Sequence, residues 1–126
     1  MKNVELDFEQ LNTLKFLEIN TEEEIISSLL QIFSGQYKEI CQQISDCVVK
    51  NEFYDASRLS HKLKSSALQL GMKDVAKACL FLEIELKNKN HHNYQLILED
   101  LTESSEFSIM AVYDFINLNN NDHLAA

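Results

Sequence analysis

The sequence predicts an all-α fold: an antiparallel up-down-up-down four-helix bundle with a short additional N-terminal helix. Three observations carry that expectation. The 126-residue chain has no proline and only two glycines, and turn-rich β folds depend on both. Its runs are rich in Leu, Ile, Glu and Lys, which favour helix. Apolar residues recur at three- and four-residue spacing in long segments joined by short polar connections, the pattern of antiparallel helical neighbours. With 45% hydrophobic residues, the length suits one domain over residues 1–126, with its core at about 8–118.

A first short helix is expected over residues 5–18, with Leu6, Leu11, Leu14 and Leu17 at its apolar positions. Thr21 followed by Glu24 reads as a capping box, in which hydroxyl and carboxylate each satisfy a free amide of the first turn. The helix it would start spans 22–50, with Ile26, Leu29, Leu30, Phe33, Tyr37, Ile40, Cys41, Ile44 and Val48 in helical register. Gly35 lies inside this run and costs about 1 kcal/mol relative to alanine, too little to split so periodic a helix. Asn51 is the expected N-cap of a third helix, 52–70, whose buried stripe is Ala56, Leu59, Leu63, Ala67 and Leu70. Gly71 ends it as a left-handed cap. A fourth helix, about 73–87, carries Val75, Ala78, Cys79, Leu82 and Leu86 on one stripe. A polar turn over 88–93 leads to a last helix, about 94–118, with Leu98, Leu101, Ile109, Val112 and Ile116. The tail, 119–126, is expected to fray.

Charge and composition narrow the function. Twenty acidic residues against eleven basic ones argue against nucleic acid as a partner. No segment reaches the roughly 18 apolar residues of a membrane span, and no basic-then-apolar leader opens the chain. Cys41, Cys47 and Cys79 form no C-x-x-C pair and read as buried free thiols of a cytoplasmic protein. The charge is uneven. Residues 58–89 hold seven basic side chains and three acidic ones, whereas the rest of the chain holds four basic and seventeen acidic. A basic centre in an acidic chain suits a localised anion or an acidic partner surface.

That centre contains His61. On a helical wheel of about 100° per residue, His61 lies opposite the Leu59–Leu63–Leu70 stripe. Ser57, Lys64, Ser65 and Leu68 share its face. An exposed imidazole, small neighbours and an ammonium one turn away meet the needs of a nitrogen that accepts a phosphoryl group. His91 and His92 lack a third ligand at helical spacing and read as exposed turn residues rather than a metal site. No glycine-rich phosphate loop can be built from Gly35 and Gly71, so no ATP site is expected.

The run from His61 to Gly71, His-Lys-Leu-Lys-Ser-Ser-Ala-Leu-Gln-Leu-Gly, resembles the H-x-L-K-G-S-x-x-x-L-G signature of histidine phosphotransfer (HPt) domains. The run from Val75 to Glu83, Val-Ala-Lys-Ala-Cys-Leu-Phe-Leu-Glu, is similar to the family's L-A-x-x-C-x-x-L-E segment at the same offset. The resemblance extends over about 8–116, mainly as a pattern of apolar positions. It implies the same helical bundle, with His61 as phosphoacceptor and Lys64 pairing with the phosphoryl oxygens. Glu83 would accept a hydrogen bond from the other ring nitrogen and fix its tautomer. Lys87, one turn beyond Glu83, would widen the positive surface. Ser65 stands where the family usually has glycine; it is still small, and its hydroxyl bears on the transfer rate more than on the acceptor's identity.

The function implied is that of a monomeric cytoplasmic carrier, either stand-alone or a domain of a hybrid kinase. It would move a phosphoryl group between receiver domains of a hybrid histidine kinase or a response regulator. It would have no cofactor of its own, magnesium belonging to the receiver. The alternative is a non-catalytic helical adaptor that binds and inhibits a receiver or kinase. Leu68, Leu80 and Ile84 form an expected apolar docking patch beside His61, rimmed by Lys64, Lys77 and Lys87. In the competing arrangement, the first helix folds over Leu80, Phe81 and Ile84 to complete the core, with Phe81 the residue most readily buried.

Overall fold

A computed structural model describes residues 3–89 and 93–125. The elements are five helices: α1 (Phe8–Thr21), α2 (Ile25–Val49), α3 (Phe53–Gln69), α4 (Lys73–Asn88) and α5 (Tyr94–Ala125). Helices α2 to α5 pack in a ring, each against its chain neighbour and α5 back against α2, while α1 lies on α2. His91 and His92 fall outside the described residues.

The helix ends differ from the sequence reading in instructive ways. α1 starts later than expected because Asp7 caps it, its carboxylate accepting the Gln10 amide. The capping box does not form. Thr21 belongs to α1, and its hydroxyl donates back to the Leu17 carbonyl. Glu24 occupies the N-cap of α2 without a side-chain bond. Glu18 of α1 supplies the missing acceptor, with Oε2 taking the Ile26 amide at 2.8 Å. A carboxylate there also faces the positive end of the helix dipole. Asn51 is not an N-cap either. It takes φ 59° after α2, leaving Glu52 at the cap position of α3; asparagine tolerates that left-handed conformation better than most residues. The predicted frayed tail is helical through Ala125, and no glycine or proline follows Leu118 to stop it.

Gly71 is left-handed as expected, at φ 67°. Its amide donates to the Leu68 carbonyl and that of Met72 to Ala67, the paired bonds of a Schellman end. The structure adds a second reason for glycine. The segment before α1 lies across this corner, with the Asp7 amide donating to the Gly71 carbonyl at 2.8 Å and Leu6 bridged to Met72. The Glu5 amide bonds Asp74, and the Gln10 side chain bonds the Gln69 carbonyl.

The core follows the apolar stripes. Ile26, Phe33 and Ile44 of α2, Ala56 and Leu63 of α3, and Val75, Cys79 and Leu82 of α4 are buried together with Leu101 and Val112 of α5. Leu29, Val48 and Leu59 are only partly buried against them. α5 departs from its expected stripe. Ser104, Ser105 and Ser108 are fully buried, small residues where larger side chains would hold the neighbouring helices apart. Cys41 and Cys79 are buried free thiols, whereas Cys47 is only partly covered.

Candidate functional site

The Gly71 corner turns the chain so that α4 runs back along α3. Ser60, a small and fully buried residue, donates from Oγ to the Cys79 carbonyl at 3.1 Å and ties the two helices together. One turn further along α4, Glu83 meets two residues of α3. Its Oε2 accepts from Lys64 Nζ at 2.9 Å. Its Oε1 lies 3.4 Å from His61 Nδ1, longer than a good hydrogen bond. Oε1 is buried and has no hydrogen-bond partner at that separation. The His61 side chain is 67% exposed while that of Glu83 is 18% exposed. A largely covered carboxylate therefore faces one nitrogen of an open imidazole, and Nε2 has no protein partner among the described residues. Beneath the pair, burial pushes the Cys79 thiol up to about 12, so it stays protonated and inert at neutral pH.

His61, Lys64 and Glu83, which the family resemblance groups together, lie in one cluster, with Lys64 on Glu83. Ser57 lines the same open groove as His61. Ser65 and Lys87 are exposed. Leu68, Leu80 and Ile84 are 55%, 48% and 45% exposed, and α1 packs chiefly on α2. Phe81, the residue that the competing arrangement would bury, is also half exposed, with Lys77 Nζ over its ring at 5.9 Å. The N-terminal arm is held at the Gly71 corner instead, and Phe8 packs against Phe115 of α5.

Two cations of the basic centre that the sequence reading gave no place at the site, Arg58 and Lys62, line the groove beside His61. The signal for Arg58 was present, because a residue three positions before the histidine shares its helix face. Ser60 was also missed, since nothing local marks a serine that bonds across to another helix. Among the described residues, no group of histidine, cysteine and acidic side chains is arranged to hold a metal. No helix there is long and apolar enough to cross a membrane.

The Hpt domain family matches residues 28–107. Solved structures share the fold, among them these two. One is the histidine-containing phosphotransfer protein B of Pseudomonas aeruginosa, 16% identical, with 86% of this chain and 91% of that chain covered at a TM-score of 0.73. The other is a putative histidine-containing phosphotransfer protein from rice, 17% identical, with 92% and 84% covered at a TM-score of 0.76. No curated protein matches the chain. The helical bundle and the family match together define a protein of the phosphoryl-relaying class. The chain belongs to the Hpt domain family, and its role is phosphotransfer in a two-component phosphorelay.

Proposed function

We propose that His61 is the phosphoacceptor and that it carries the group between the aspartates of two receiver domains. The observation that carries this reading is the exposed imidazole with one nitrogen set against the covered Glu83 carboxylate. With the ring proton on Nδ1, the Nε2 lone pair forms the new N–P bond. The P–O bond to the receiver's aspartate breaks, and that carboxylate leaves with the electron pair. Nδ1 keeps its proton, so the phosphorylated ring becomes cationic. Glu83 Oε1, buried without a donor, then faces a charged N–H and is stabilised by closing the gap. The reverse step restores the neutral ring. Lys64 adds positive charge beside the site.

The architecture that supports this is an antiparallel up-down-up-down four-helix bundle with a short N-terminal helix, acting as a monomer in the cytoplasm. It has no ATP site or cofactor of its own, and magnesium is held by the receiver. Receivers of a hybrid histidine kinase or a response regulator dock over His61. They bury Leu68, Leu80 and Ile84, approach closely over Ser57 and Ser65, and meet Lys87 at the rim. The test is to incubate the protein with a phosphorylated receiver and look for acid-labile, base-stable phosphate. His61→Gln should fold and take up none; label on that variant would overturn the assignment.

A further inference from the structure

The cation nearest to His61 by sequence resemblance is already engaged. Lys64 Nζ is 2.9 Å from Glu83 Oε2, and its side chain is 19% exposed. Leaving Glu83 for a phosphoryl group on Nε2 would strip a mostly covered carboxylate of its cation. Removing a partner from such an ion costs more than an exposed pair gains.

Arg58 is placed differently. It lies one turn before His61 on α3, and residues three apart on a helix stand about 5–6 Å apart at Cβ. It lines the open groove with His61. Its guanidinium carbon sits 6.0 Å from the centre of the Tyr54 ring, a contact that steadies a planar cation without neutralising it. Arg58 forms no ion pair with a carboxylate among the described residues. Asp55 lines the same groove without pairing with it. A guanidinium fork matches two phosphoryl oxygens, which an ammonium does not.

We propose that Arg58, steadied by Tyr54, contacts the phosphoryl oxygens on His61, while Lys64 remains on Glu83. Lys64 is then a positioning residue that holds the carboxylate against Nδ1. The inference deepens the reading of His61 as acceptor and rests on it. A cation bonded to the phosphoryl oxygens stabilises the charge the group carries on His61, so its removal weakens both the acceptance of the group and its retention.

The experiment compares the full chain with Arg58→Ala, Arg58→Lys, Lys64→Gln and His61→Gln. Acceptance is measured from phosphoramidate, a small donor that needs no docking surface, and phosphohistidine half-life is measured afterwards. Arg58→Ala should slow acceptance and shorten the half-life, each on the order of tenfold, the low end for a charged hydrogen bond at an exposed site. Arg58→Lys should recover part of both. In the unphosphorylated protein, the ¹⁵N resonances of His61 should show a changed tautomer balance in Lys64→Gln and an unchanged one in Arg58→Ala. Parental rate and half-life in Arg58→Ala would overturn the proposal, as would an unaltered tautomer balance in Lys64→Gln. Label on His61→Gln would instead overturn the acceptor assignment beneath it.

Discussion

Replacing Gly71 with alanine probes how the histidine-bearing helix is ended and what holds the N-terminal arm. Two costs arise there. An L-residue forced to φ 67° loses about 1–2 kcal/mol relative to glycine. The added Cβ would also stand 2.7 Å from the Asp7 carbonyl oxygen and 3.3 Å from its nitrogen. Those are backbone atoms, so the arm has to retreat. Retreat breaks the 2.8 Å bond from the Asp7 amide to the Gly71 carbonyl, a net loss of about 0.5–1.5 kcal/mol. The expected destabilisation is about 2–3 kcal/mol, a large share of the roughly 5–15 kcal/mol that holds a domain folded. Urea unfolding followed by far-UV circular dichroism should show a lower midpoint with an unchanged slope. Gly35→Ala is the control. A Cβ there meets nothing within 4 Å, and the substitution in mid-helix should stabilise by about 0.5–1 kcal/mol. Opposite signs at the chain's two glycines are the expected result. A Gly71→Ala variant as stable as the parent would refute both the strain and the docking of the arm. His61 lies ten residues, or about 15 Å, up the same helix, so phosphate acceptance should persist wherever the variant is folded.

Other outcomes follow from the same geometry. The double variant Leu68→Asp, Ile84→Asp alters two residues that are about half exposed, so stability should change by no more than about 1 kcal/mol. Exchange with a receiver should slow markedly while acceptance from phosphoramidate stays near the parent's; a parental receiver rate would defeat the docking patch. Alkaline stability should fall. The Cys79 thiol ionises at 9.0 in its ordinary state and near 12 when buried, so above 9.0 the folded chain keeps a proton that the unfolded chain has lost. The stabilisation is complete below that pH and is lost as pH climbs toward 12, at about 1.4 kcal/mol per unit for one thiol. Burial raises Cys41, Tyr37 and Tyr94 in the same direction. Urea midpoints on either side of that boundary should diverge, and a flat profile would mean that Cys79 is open to solvent.

The signature around His61 was legible because its parts are local. A helix places His61 and Lys64 one turn apart whatever surrounds them. Glu83 entered through its fixed offset in the family pattern, with His61 as its partner, but its pairing with Lys64 did not. The 2.9 Å pair with Lys64 depends on how closely α4 approaches α3, which Ser60 sets by bonding across to Cys79. Arg58 was legible from its spacing and was passed over, its significance depending on Lys64 being occupied.

Taken by itself, the sequence determined the number of helices, the centre of each core stripe in α2 to α4, the left-handed end at Gly71 and the histidine's exposed face. These rest on periodicity and backbone sterics, which act within a few residues. The tertiary structure decided which side chains cap and which pair. Glu18 rather than Thr21 serves the start of α2, because several polar groups near a helix end can satisfy its amides and packing selects the one within reach. It also decided that the serines of α5 go inside, since close helix packing rewards small residues whatever their polarity. And it left Leu68, Leu80 and Ile84 open. Hydrophobicity alone cannot tell a core face from a docking face; that depends on where the Gly71 corner anchors the N-terminal arm.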